Sequence, residues 1–257
     1  MIKNKKTLLV LISLLVIFYI LISIIISFPK GKKFKNTVII GNSTKVNVKN
    51  GSISVYNDDI AISNQKMKIF FKNRFVDGYL ITEEGDSSGV NNIYTAYNEN
   101  GDILAPEKVI IAYTPDISIK VKESNINDST NMSDISDLIK LNNITLTAES
   151  ELDYIKITNF DYDNDGNEEY IYSVGIFNND KYNSFVYMKV DDKYILIDSE
   201  ESDNNPDYKR LYFIKLIDFN SDDNYEFVVE KMMSEYGPDY YELYNFDDNK
   251  FTKLGGE

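Results

Sequence analysis

Residues 157–172 read ITNFDYDNDGNEEYIY, and 57 positions later residues 214–229 read IKLIDFNSDDNYEFVV. The stretches align without a gap, apolar over apolar on either side of an acidic nine-residue centre. The register continues downstream, where Tyr187 falls over Tyr244, Asp191 over Asp248, Lys193 over Lys250 and Tyr194 over Phe251. Around each centre apolar residues recur with period two, the pattern of strands with a buried face. Each copy divides into four such segments, in the first copy 154–160, 169–176, 185–190 and 194–198. A four-stranded antiparallel sheet needs a repeat of about this length. Residues 154–197 and 211–254 are therefore expected to form two blade-like units within a region spanning 150–256.

Between the first two strands of each unit lies an acidic loop. In the first, Asp161, Asp163, Asp165 and Glu169 occupy positions 1, 3, 5 and 9, Asn167 offers a carbonyl at position 7, and Gly166 permits a sharp bend. Four carboxylates in this space repel one another unless water or a cation relieves them, and an all-oxygen set suits a hard cation. An EF-hand is not expected, because position 12 is Tyr172 and the flanks read as strands. The second loop keeps oxygen donors at Asp218, Asn220, Asp222 and Glu226. It has one ligand charge fewer, and Asp223 stands at the glycine position, so weaker binding is expected. The competing reading is that both loops are acidic turns, since Asp, Asn and Gly favour turns with or without a metal.

These loops and their spacing resemble the FG-GAP/VCBS-type repeats of integrin-α-like β-propellers, in which a D-x-D-x-D-G-x-x-[DE] loop joins two strands of a blade and holds calcium. The resemblance implies Ca2+ held by Asp161, Asp163, Asp165, the Asn167 carbonyl and Glu169. In the second repeat it implies Asp218, Asn220, Asp222, the Asn224 carbonyl and Glu226. No Phe-Gly-Gly-Ala-Pro segment is present, and two copies cannot close a propeller alone. Closure by oligomers and two blades packed face to face both remain open.

Upstream, residues 121–149 read as a polar linker with a short helix, Ser133 capping a run in which Ile135, Leu138, Ile139 and Leu141 share a face. Residues 36–120 alternate between apolar and polar and are expected to be a small all-β domain. Its turns are expected at Asn50-Gly51, Asp77-Gly78 and Asn100-Gly101.

The amino-terminal part differs in kind. Lys3, Lys5, Lys6, Lys30, Lys32, Lys33 and Lys35 face no acid within residues 1–35, which leaves −21 on the remainder of a chain whose formal net charge is −14. Residues 7–28 are apolar but for a threonine and three serines, and as a helix they would span roughly 33 Å, the thickness of a bilayer core. A buried soluble helix and a cleaved signal peptide are the competing readings; the first is rarely so uniformly apolar, and the second normally has a shorter apolar part. The expectation is an uncleaved, single-pass signal anchor, with residues 1–6 cytoplasmic and the rest outside the cell. The expected fold class is thus mainly β: an N-terminal transmembrane helix, a small all-β domain, and two four-stranded blade-like antiparallel repeats.

The chain has no Cys and no His. Thiol nucleophiles, disulfides, histidine general bases and Cys/His zinc sites are thereby excluded. Strong negative charge disfavours a nucleic-acid partner. The 20 Tyr, including the run Tyr236-Gly237-Pro238-Asp239-Tyr240-Tyr241, suit both strand packing and recognition of protein or glycan. Together these readings lead to the expectation of a membrane-anchored extracellular protein with a calcium-stabilised β scaffold. Its task would be adhesion or recognition at a bacterial cell surface, with an extracellular protein or glycan as partner and no catalytic residues. The alternatives are a cell-wall glycan hydrolase or its accessory module, acting through paired carboxylates, and an extracytoplasmic sensor.

Overall fold

Period-two alternation over residues 36–120 produces a seven-stranded antiparallel sheet. The computed structural model describes residues 33–41, 44–57, 64–83, 93–104, 111–127, 132–203, 209–233 and 240–255. The sheet comprises β1 (Thr37–Ile40), β2 (Thr44–Lys49), β3 (Ser52–Asn57), β4 (Gln65–Phe71), β5 (Arg74–Glu83), β6 (Ile93–Asn98) and β7 (Ile111–Tyr113), in the order β3-β2-β1-β7-β4-β5-β6. Asn50 and Gly51, with φ of 52° and 79°, make the two-residue turn between β2 and β3. Both torsions lie in the left-handed region that a type I′ turn requires. The turn expected at Asp77-Gly78 is elsewhere. Both residues pair within β5, and the chain reverses at Lys72-Asn73, with φ of 50° and 59°. Gly78 has a different role: a Cβ there would overlap the Tyr97 carbonyl on β6 and the Ile69 side chain.

The repeats fold as two meanders. The first runs through β10 (Glu151–Phe160), β11 (Glu169–Asn178), β12 (Lys181–Val190) and β13 (Lys193–Asp203). The second runs through β14 (Lys209–Asp218), β15 (Glu226–Met233), β16 (Tyr240–Asp247) and β17 (Lys250–Leu254). The stretch expected to be a linker adds a fifth strand to each: β8 (Lys120–Val121) pairs with β14, and β9 (Asn125–Asn127) pairs with β10. Both sheets remain open, in the orders β13-β12-β11-β10-β9 and β17-β16-β15-β14-β8. The helix α1 (Met132–Leu141) begins one residue before Ser133, the expected cap, and buries Ile135 and Leu138.

Strand alternation sorts the core into layers. One face of the first blade, with Ile157, Val174 and Phe185, receives Ile135 and Leu138 of α1. Its other face, with Phe160, Ile171 and Met188, packs on Leu211, Phe213 and Phe227 of the second blade. The opposite face of the second blade, with Ile217, Val228 and Leu243, packs on Val38, Ile40, Val46 and Ile111 of the seven-stranded sheet. The far side of that sheet holds Ile39, Met67 and Leu80. The order of layers is therefore helix, first blade, second blade, seven-stranded sheet, and the two blades pack face to face.

Polar contacts fasten the blades to each other. Backbone N–H groups of Leu211 and Phe213 donate to the hydroxyls of Ser184 (2.8 Å) and Ser173 (3.0 Å). Their carbonyls accept from Tyr154 (2.7 Å) and Lys156 (2.8 Å). Side chains of one blade thus satisfy the backbone of a strand in the other, which is what burial of that backbone demands. Arg210 adds a bidentate pair with Asp153 at 2.7 and 3.1 Å.

The membrane anchor requires a correction. Among the described residues no helix is long and apolar enough to cross a membrane, because their one helix has ten residues. The span expected at residues 7–28 lies outside the described residues. The transmembrane helix of the expected fold class, the signal anchor and the extracellular location inferred from it lack support and are withdrawn.

Candidate metal centre

Both acidic loops leave the first strand of a blade and enter the second, and the same frame of hydrogen bonds builds each. Asp161 accepts from the N–H groups of Asp165 (3.1 Å) and Gly166 (3.1 Å), as Asp218 does from Asp222 (3.2 Å) and Asp223 (3.1 Å). The N–H of Asn167 donates to Asp165 at 2.7 Å, and that of Asn224 to Asp222 at 2.9 Å. Glu169 closes the first loop by accepting from the Tyr162 N–H at 2.5 Å; Glu226 does so from Phe219 at 3.3 Å. Backbone conformation repeats as well. Asn164 and Ser221 have φ of 62° and 60°, and Gly166 and Asp223 have 90° and 67°. Asp223 does adopt the left-handed conformation that the glycine position needs.

In the first loop Asp161, Asp163 and Glu169 each place a carboxylate oxygen within 4.8 Å of the other two. Donors on opposite sides of a calcium ion at 2.3–2.6 Å stand roughly 4.6–5.2 Å apart, so this set fits one hard cation. Burial holds the Glu169 carboxyl above its usual range, and the nearby charges of Asp163 and Asp161 push the same way against the Tyr162 N–H. Asp165 is not drawn into the set. Its oxygens accept from the backbone and side-chain nitrogens of Asn167, which hold it below the usual range. Asn167 thus braces Asp165.

The second loop is committed to protein partners. The Lys120 ammonium forms an ion pair with Asp223 and lies 3.8 Å from Asp218. The Asn220 amide donates to Asp222 (2.9 Å) and to the Gly51 carbonyl (3.1 Å) at the β2–β3 turn. A carboxylate at position 220 could donate neither bond. Ser221 donates to the Ser118 carbonyl at 2.9 Å. Glu226 is almost fully buried, and burial pushes its carboxyl up to about 7. Asn220 alone of the five thus reaches the seven-stranded sheet, whereas Asp218, Asp222, Asn224 and Glu226 bond within the loop or to Lys120, and among the described residues the three-carboxylate convergence occurs at the first loop alone.

Three participants had no signal in the sequence, since their partners lie 38 to 103 positions away. Lys120 is the first. Lys122 is the second, donating to the Tyr162 carbonyl (3.0 Å) and to Asn164 (2.8 Å) of the first loop. Asp134 is the third. It accepts from the hydroxyls of Tyr172 (2.5 Å) and Tyr194 (2.6 Å) and from Lys189 (3.0 Å). Beside the first loop Asp134, Tyr172 and Lys189 border a cavity of about 650 Å3, whose rim carries Asp163, Asp165, Glu168, Asp191 and Asp192. The 236–239 part of the tyrosine-rich run lies outside the described residues, whereas Tyr241 is buried in the core. Comparison of the chain with protein families, with curated proteins and with solved structures gives no match.

Proposed function

We propose that the chain is a binding protein whose two stacked blades form a scaffold stabilised by one calcium ion. Asp161, Asp163 and Glu169 would supply the charge, and the Asn167 carbonyl and Asp165 would complete the shell after a small adjustment of the loop. The observation that carries this reading is the convergence of the three carboxylates within 4.8 Å on a loop already held in shape by its own backbone. The ion would neutralise charges that now raise the Glu169 carboxyl. In the second loop Lys120 and the amide of Asn220 meet the acids instead, so one ion per chain is the proposed stoichiometry. The interface between blades is devoted to packing and to satisfying backbone, which suits a framework that presents a surface to a protein or glycan partner. A glycosidase would need a carboxylate pair of its own. Of the carboxylates that line the acid-rimmed cavity, this reading assigns Asp163, Asp165 and Glu169 to the cation.

The test is thermal unfolding of the whole chain with calcium and with EDTA. Calcium at about 100 times its dissociation constant should stabilise by roughly 2.7 kcal/mol. Asp163→Ala should lose that gain, whereas Asp222→Ala should keep it. A melting temperature that EDTA leaves unchanged would show that both loops are plain acidic turns.

A further inference from the structure

The segment that leads from the seven-stranded sheet to the blades passes between the two acidic loops. Lys120 and Val121 in β8 pair with β14 of the second blade, and the Lys122 N–H donates to the Leu216 carbonyl of that strand at 3.0 Å. A few residues on, β9 pairs with β10 of the first blade. The two lysines of this crossing are used differently. Lys120 meets acids of the second loop, Asp223 and Asp218. Lys122 donates to neutral oxygens of the first, the Tyr162 carbonyl at 3.0 Å and the Asn164 side-chain oxygen at 2.8 Å. Its ammonium also lies 5.4 Å from the centroid of the Tyr225 ring in the second loop.

The two acceptors of Lys122 flank Asp163. The Tyr162 carbonyl belongs to the peptide that leads into Asp163, and Asn164 follows it in the left-handed conformation, with φ of 62°. Of the three convergent carboxylates, Glu169 is buried, Asp161 accepts two backbone N–H groups, and Asp163 is the exposed one, with the Asp165 N–H at 3.1 Å. An exposed side chain keeps its direction only as well as its backbone does, and a non-glycine residue stays at positive φ when its surroundings hold it there. Lys122 supplies that hold from 40 and 42 positions away. Its charge acts the other way, since an ammonium repels a divalent cation. At a half-buried position that repulsion is screened by water and salt, whereas turning Asp163 aside removes a whole ligand charge, so positioning is the larger effect.

We infer that Lys122 is a positioning residue for the cation site: it fixes the backbone on both sides of Asp163 and so sets the calcium affinity of the first loop. This inference rests on the calcium reading. Isothermal titration of the whole chain with calcium tests it. Lys122→Met removes the donor from an unbranched side chain and should weaken calcium at least about fivefold. Asn164→Gly keeps the left-handed turn, removes one acceptor and should weaken calcium as well. The fold-loss of the double variant should be smaller than the product of the two single losses, because both remove the same bond. In EDTA, Lys122→Met should also speed amide hydrogen exchange at Asp165, Gly166 and Asn167 relative to the parent. A parent chain that binds no calcium fails the calcium reading and this inference with it. A parent that binds calcium no more tightly than Lys122→Met, folded by circular dichroism, overturns this inference alone. So do single losses that multiply in the double variant, and loop exchange in EDTA that Lys122→Met leaves unchanged. Should Lys122→Met not fold, Asn164→Gly, on an exposed turn, carries the test, and parental calcium affinity there overturns the inference.

Discussion

Asp134 and Glu226 are both nearly buried carboxylates, and their surroundings drive them in opposite directions. Burial pushes Asp134 up, but bonds from Tyr172, Tyr194 and Lys189 outweigh it and hold the group below the usual carboxylate range. A depressed folded-state value contributes stability above the unfolded value near 4, and that contribution disappears as pH falls through the folded value. Asp134→Ala leaves the Lys189 ammonium and two hydroxyls without their acceptor and should cost about 3 kcal/mol at pH 7. Urea denaturation should show the difference from the parent shrinking below pH 4. Glu226 is pushed up to about 7, chiefly by burial. The folded chain then binds more protons than the unfolded one between about pH 4.5 and 7, so stability falls as pH rises through that window, by on the order of 2–3 kcal/mol. In EDTA, Glu226→Gln should flatten this part of the stability profile; an unchanged slope would assign it to other groups. Neither behaviour could be read from sequence, because the partners of Asp134 come from distant strands and the shift of Glu226 comes chiefly from burial, which packing and not local sequence sets.

Among the elements, those written in a local pattern were legible and those made by a distant partner were not. The eight blade strands follow from alternation and repeat register, and the β2–β3 hairpin follows from Asn50-Gly51. Strands β8 and β9 have two and three residues, too short for any periodicity, and they exist because the edges of β14 and β10 offer unpaired backbone. Asp77-Gly78 misled for a related reason. A glycine inside a strand marks close approach as readily as a turn, and here the approach is that of β6. Gly175 on β11 is a second such position: a Cβ would overlap the Tyr154 ring and the Tyr182 hydroxyl. The Tyr154 hydroxyl bonds to Leu211 of the other blade, and the Tyr182 hydroxyl donates to Asp153 at 2.8 Å. Displacing these rings would therefore loosen the joint between blades. Gly175→Ala should lower stability by about 1–3 kcal/mol, as overpacking does, measured by the midpoint of urea unfolding. Gly166→Ala meets open space at φ of 90°, so its cost should be the smaller one of backbone strain, about 1 kcal/mol.

For the whole molecule the deciding feature is that the second blade is an inner layer, covered by the first blade on one face and by the seven-stranded sheet on the other. The sequence reading treated residues 36–120 as a separate unit because chain order separates them from the repeats. In the structure all four residues of β1 are buried, as in strands covered on both faces. The joint includes Ile217, Phe219, Val228, Tyr241 and Leu243, none more than 4 % exposed, and the bonds from Asn220 and Ser221 to the Gly51 and Ser118 carbonyls. A fragment starting at residue 117 would expose these five side chains. At roughly 1.5–3 kcal/mol each, they amount to on the order of 10 kcal/mol, comparable with the entire stability of an ordinary domain. The fragment should therefore be unfolded or aggregated, and the whole chain should unfold by calorimetry in one transition that includes both blades and the seven-stranded sheet. If the fragment instead melts as a soluble monomer at the temperature of the full chain, the blades carry their own stability, and the seven-stranded sheet is an addition to them.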